Sequence, residues 1–143
     1  MEDDPLTPPF TTKVAVAVRD DLESWQRLNV TAFLISGLTA AHPELVGAPY
    51  EDADQQQYLS LLGVPVLVFE APAEVLQTAR LRALQREVPI AVYTREMFTT
   101  GHDADNRAVV ASVPGPALDL VGIGVHGPKN AVDKIIKGAR LHP

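Results

Sequence analysis

The chain has no cysteine. Disulfides, thiolate metal sites and a cysteine nucleophile are thereby excluded. Basic residues are scarce as well: 12 Lys and Arg stand against 18 Asp and Glu, a net charge of −6. Such a balance argues against a broad nucleic-acid grip. No apolar run approaches the roughly 20 residues of a membrane span. The opening Met-Glu-Asp-Asp lacks the basic start and apolar stretch of a secretory signal. The expectation is a cytoplasmic protein with no membrane partner. P-loop, HExxH and Ser-His-Asp patterns are missing too, so neither cofactor nor metal is expected. What is present is ordinary for a globular protein: 143 residues, 46% apolar and 21% charged, enough for one domain.

Residues 1–12 carry three acids and three prolines and read as a mobile tail before a single domain at 13–143. Val14 to Val18 alternates valine with alanine, apolar on both faces, as in a strand covered on both sides. Asp20 and Asp21 offer an N-cap to a helix from Leu22 to about Ala41, with Leu22, Trp25, Leu28, Ala32, Phe33 and Ile35 among its apolar positions. A short strand at 58–61 and a core strand at 64–69 follow, with Pro65 near the start of the latter. Pro72 then opens a helix from Ala73 to about Glu87, whose expected buried stripe is Val75, Leu76, Ala79, Ala83 and Leu84. Next come a strand at 88–93, a polar loop at 94–103, a short helix at 104–113 and a glycine-broken strand at 118–125. A closing helix from Pro128 keeps Ala131, Val132, Ile135, Ile136 and Ala139 at helical spacing. Strands alternating with helices predict a three-layer α/β/α sandwich.

Gly122, Gly124 and Gly127 match the letters of a dinucleotide fingerprint, but too little chain follows for its helix, returning strand and ribose-binding acid. They read instead as room for a helix to approach the strand. Lys129, beside the next helix start, suits a weak anion site. The run from Gly101 to Arg107 fits no calcium loop; Asp103 reads as an N-cap and Asp105 as a first-turn acid. His102 stands where open α/β sheets place ligands, beyond the carboxyl end of a strand. Asn29 lies between Trp25 and Phe33 at one-turn intervals, so its amide is on or beside the apolar stripe. Tyr93 to Gly101, with Thr94 and Arg95 first, ends a core strand in hydroxyls, a guanidinium, a carboxylate and a thioether, a mixture able to orient a small ligand. The acids of 50–54 read as a solvated turn.

Four stretches, at 13–38, 49–69, 92–111 and 119–143, together resemble a bacterial family catalogued as domain of unknown function 2000. The resemblance implies a fold like type II peptidyl-tRNA hydrolase, a mixed sheet of about four strands packed between helices. Val14–Arg19, Asp21-Leu22 and Gly124–Lys134 are similar to the opening and closing segments of those enzymes. The hydrolases' lysine at the start of the first helix has no counterpart in Ser24–Asn29, nor has their strand-end aspartate near Tyr93–Arg95. The likeness therefore implies the fold without peptidyl-tRNA cleavage.

These residues converge on one expectation, a pocket for a small polar ligand where 19–29 meets 93–102. Trp25 and Tyr93 wall it, Asn29 and Thr94 supply hydrogen bonds, and His102 is the candidate general base. Arg19, Arg95 and Lys129 supply positive charge, with Arg95 holding an anionic group. Two alternatives remain open. One is a hydrolase of small aminoacyl-type esters or amides using His102 with Thr94 or Thr99. The other is a non-catalytic homodimeric module.

Overall fold

The computed structural model describes residues 11–143. The tail expected at 1–12 thus lies outside the described residues except for Thr11 and Thr12, and Thr12 already pairs with Pro128. The order is β1 (Thr12–Arg19), α1 (Ser24–Ala41), a small hairpin of β2 (Tyr50–Glu51) and β3 (Gln57–Tyr58), β4 (Val66–Ala71), α2 (Ala73–Gln85), β5 (Ile90–Thr94), α3 (Asp103–Ala111), β6 (Leu120–Pro128), α4 (Lys129–Ile135) and β7 (Arg140–Leu141). The fold is mixed α/β. Its main sheet has five strands in the order β5-β6-β1-β4-β7. Central β1 runs parallel to β4 and antiparallel to β6.

The alternation in β1 distributes the core between the two faces. Ala15 and Ala17 pack with Leu76, Ala79 and Ala83 of α2 and Val132 and Ile135 of α4. Val16 and Val18 face the other way and pack with Val30 and Leu34 of α1 and with Tyr93. Successive strand side chains point to opposite faces, so an all-apolar strand needs helices on both. Among the described residues no helix is long and apolar enough to cross a membrane.

Several boundaries differ from the sequence expectation for identifiable reasons. Glu23, not Asp20 or Asp21, caps α1, in a capping box with Gln26. Asp103 is the first residue of α3 rather than its cap, and its carboxylate pairs with Arg107 one turn on. Leu84 of α2 is exposed, because the face toward the sheet is set by Leu76, Ala79 and Ala83. The last helix ends near Ile135: Gly138 adopts φ +103°, a left-handed turn that glycine permits. The chain then returns as the fifth strand, β7, on the open edge of β4.

The largest departure concerns α1. Its buried residues are Val30, Leu34 and Leu38, whereas Trp25, Leu28 and Phe33 are exposed. The cause lies in β6. A Cβ on Gly122 would overlap Val30 Cγ1 and lie 3.0 Å from Leu34; one on Gly124 would lie 3.1 Å from Leu38 and 3.2 Å from Leu34. The bare glycine backbone draws α1 close and selects the face that fits it, the role expected of these glycines. Valine is stiff at χ1 and yields poorly. Gly122→Ala is therefore expected to lower the unfolding free energy by roughly 1–3 kcal/mol. Gly101→Ala, whose Cβ meets nothing within 4 Å, should stay within about 0.5 kcal/mol. Urea denaturation of the two variants checks the contrast; equal stabilities would contradict it.

Candidate functional site

With Val30 and Leu34 on the sheet, the residues one step earlier, Asn29 and Phe33, turn about 100° away. Trp25, Asn29 and Phe33 recur at every fourth position and form one wall of a cleft of about 310 Å³. The opposite wall is Tyr93 at the end of β5, with Met97 and Phe98 from a 3-10 turn at Arg95–Thr99. Thr100, Gly101, His102, Asp103 and Asn106 close it from the start of α3. A second cavity of about 460 Å³ adjoins it and shares Phe33, Tyr93, Met97, Asp103 and Asn106. It runs on between Leu34, Gly37, Ala91, Val110 and Ala111, with Arg107 at its edge paired to Asp103, so the cleft is polar at one end and mostly apolar at the other.

Aromatic contacts set its shape. Trp25 meets Phe98 edge-on with ring centroids 5.7 Å apart, Phe98 lies 5.2 Å from Tyr93, and Tyr93 lies 5.7 Å from Phe33. Glu23 accepts a hydrogen bond from Trp25 Nε1 at 2.9 Å and so orients the indole. Asn29 Nδ2 approaches the Tyr93 hydroxyl at 3.4 Å, a long contact. Burial raises the Tyr93 pKa above its usual value, and the Asn29 amide opposes that rise. Thr100 donates to Met97 O at 3.1 Å and also meets the Asn106 amide oxygen.

Of the residues picked from the sequence, Trp25, Asn29, Tyr93 and His102 come together on this cleft. Thr94 does not line it. Tyr93 takes the α1 face of β5, and its neighbour turns the other way. The Thr94 hydroxyl is buried without a well-formed hydrogen bond, while its N–H meets Met97 Sδ at 3.3 Å. Arg19 and Arg95 do not line the cleft either, because both are held in a charge quartet. Arg19 donates to Asp119 at 2.9 Å and to Leu120 O at 2.7 Å, and lies 3.4 Å from Asp21. Arg95 reaches Asp119 at 3.3 Å and Asp21 at 3.2 Å. Lys129 begins α4 beyond the Pro128 end of β6, whereas Arg19 ends β1 at the opposite end of that ladder. At about 3.3 Å per strand residue the two are some 20 Å apart.

Met97, Phe98 and Thr100 line it from within the 93–101 stretch. Phe33 and Asn106 complete the lining without having been expected there, though each carried a signal: Phe33 is one turn beyond Asn29, and Asn106 one turn beyond His102. The acids of 50–54 form the hairpin turn, where Asp52 accepts from the N–H groups of Asp54 and Gln56 and from Tyr58 Oη. The Tyr58 bond, first, holds the Asp52 carboxyl below its usual pKa.

Two further titratable clusters stand apart from the cleft. Glu70, 5% exposed on β4, accepts from Arg140 Nε at 2.6 Å and Arg27 at 2.8 Å, and Arg27 also meets His142 at 2.9 Å. Arg140, then Arg27, hold the Glu70 carboxyl below the usual range against the opposing effect of burial. His126 on β6 lies against His42, ring centroids 4.4 Å apart, with both ring nitrogens buried and without a hydrogen-bond partner among the described residues. Burial, then the His42 ring, lower its pKa, and Glu44 partly restores it.

The family model described as protein of unknown function (DUF2000) matches residues 12–143. A solved structure of a protein of unknown function from Agrobacterium tumefaciens strain C58 is 43% identical, with a TM-score of 0.92, over 94% of this chain and 99% of that one. No curated protein matches the chain.

The His126 environment sets a pH dependence of stability. The folded state disfavours its proton, whereas an unfolded histidine binds one near pH 6.5. The stabilisation is thus complete above about pH 6.5 and declines as the pH falls toward the depressed folded pKa. The melting temperature should drop between about pH 7.5 and 5.5. His126→Leu should flatten that limb; an unchanged slope in the variant would contradict the assignment.

Proposed function

This chain belongs to the DUF2000 family, whose description assigns no activity, and from that premise we propose that it binds a small molecule in the cleft between α1 and the 93–102 segment. The observation that carries this reading is the convergence of Trp25, Asn29 and Phe33 with Tyr93, Phe98 and Asn106 around one open volume. That volume, about 310 Å³, falls in the range of small-molecule sites, about 300–1,000 Å³. Apolar walls with a few amides and hydroxyls are the usual make-up of such sites. In this reading Asn29, Thr100, His102 and Asn106 orient the polar part of the ligand, and the adjoining apolar cavity takes the rest.

Hydrolysis of small aminoacyl esters or amides is less well supported. It needs a nucleophile within hydrogen-bond reach of its base. Thr94 and Thr99 do not line the cleft with His102, and Thr99 donates to Glu96 O instead.

A homodimer is a compatible second reading carried by a different observation. The segment around β2 and β3 is closed at its base by Gly47 N–H to Leu61 O at 2.8 Å and Gly63 N–H to Leu45 O at 2.7 Å. It exposes Val46, Tyr50, Tyr58, Leu59 and Leu61, with Leu59 at 88%. Apolar exposure on that scale suits contact with a second copy.

A thermal-shift screen of the full chain against polar metabolites and aminoacyl compounds tests the cleft. A ligand at a hundredfold excess over Kd should add about 2.7 kcal/mol of stability, and Asn29→Leu and Asn106→Leu should abolish the shift. A shift that survives both substitutions would sink the reading. Light scattering after size exclusion tests assembly: a dimer supports the second reading, and a monomer at high concentration removes it.

A further inference from the structure

We propose that the polar half of the cleft is a cage for an organic cation, a quaternary or methylated ammonium group. This inference rests on the cleft being a binding site and goes on to name what it takes. Trp25, Phe33, Tyr93 and Phe98 all line the same volume. They form a continuous chain of rings, Trp25 to Phe98 to Tyr93 to Phe33, with each neighbouring pair of centroids 5.2–5.7 Å apart. Aromatic faces carry negative quadrupole density, and a cation within about 6 Å of a ring centroid is attracted to it. Several rings around one void recognise a positive group that has no N–H to donate, because the attraction does not depend on hydrogen bonds.

The polar lining points to the same charge. Among the described residues, neither lysine nor arginine lines this half of the cleft. Arg107, which lines the adjoining cavity, is paired with Asp103, and Arg19 and Arg95 are neutralised by Asp21 and Asp119. A carboxylate or phosphate would find no charged donor of the kind that usually holds such groups. The acceptors present are amide and hydroxyl oxygens of Asn29, Tyr93, Thr100 and Asn106, together with the Asp103 carboxylate, which also pairs with Arg107. Glu23, bonded to the indole N–H, adds negative charge beside the half-exposed Trp25. Met97 contributes a polarisable sulfur to the same wall.

Trp25 is the single tryptophan of the chain, so its fluorescence reports on this cleft alone. The experiment titrates the full chain with choline, with tetramethylammonium and with 3,3-dimethylbutan-1-ol, the neutral carbon isostere of choline, at ionic strength matched with potassium chloride. Both cations should change Trp25 emission saturably, and the neutral isostere should bind at least tenfold more weakly. Phe98→Leu and Phe33→Leu should each weaken the response to choline several-fold, with thermal melts confirming that the variants fold. An equal response to the isostere overturns the cation assignment and leaves the cleft standing as a binding site. A cation response unaltered in both variants places binding elsewhere and overturns the inference. Absence of a saturable response to every probe overturns it too; a metabolite shift abolished by Asn29→Leu and Asn106→Leu would then still uphold the cleft.

Discussion

The close approach of α1 to the bare backbone of Gly122 and Gly124 governs the arrangement of the molecule. From Leu28 to Ala41 the helix contains no charged residue, so its own pattern does not strongly prefer one buried face. The glycines make the choice. Val30, Leu34 and Leu38 descend onto β6, within reach of any Cβ placed there. Trp25, Asn29 and Phe33 are left to overhang the edge strand β5. Tyr93 and Phe98 meet them, and α3 closes the third side. A cleft opens because the helix that covers the sheet presents a second apolar and amide face past its rim.

Charge is used elsewhere, chiefly to lock the carboxyl ends of the two parallel strands. Arg19 and Arg95 alternate with Asp21 and Asp119 beyond β1. Arg27 and Arg140 enclose Glu70 near the end of β4 and tie the last strand to α1. Arg95 N–H also donates to Asp119 O, which joins the 3-10 turn to the entry of β6. Removing one partner of such a lock leaves its opposite charge poorly satisfied, and that is where the pairing matters most. The polar half of the cleft is lined by amides, hydroxyls, one imidazole and the Asp103 carboxylate, which Arg107 of the adjoining cavity pairs.

Local signals were readable in the chain and long-range ones were not. The Val-Ala run of β1 and the close approach at Gly122 and Gly124 follow from short-range rules, and the structure agrees. Pro72 marks the start of α2 as its N-cap and not as its first residue, and a Cβ on Gly127 would make only ordinary contacts. Trp25, Asn29, Tyr93 and His102 were recognisable as neighbours because two are one turn apart and two end or follow a strand. The face of α1 was not legible, since the deciding surface belongs to residues roughly ninety positions later. The same limit hid the partners of Arg19 and Arg95: Asp119 is 100 residues from Arg19. Strand β7 is two residues long and exists by pairing with β4, so helical spacing alone carried the last helix too far.

A double-mutant cycle between Gly122→Ala and Val30→Ala tests the central contact most directly. Each protein is unfolded in urea, alone and combined. If the glycine exists to admit Val30, shortening the valine should relieve the overlap, and the combined loss should fall short of the sum of the single losses by on the order of 1 kcal/mol. Strict additivity would mean that α1 does not take its seat from these glycines, and the account of how the cleft opens would fail with it.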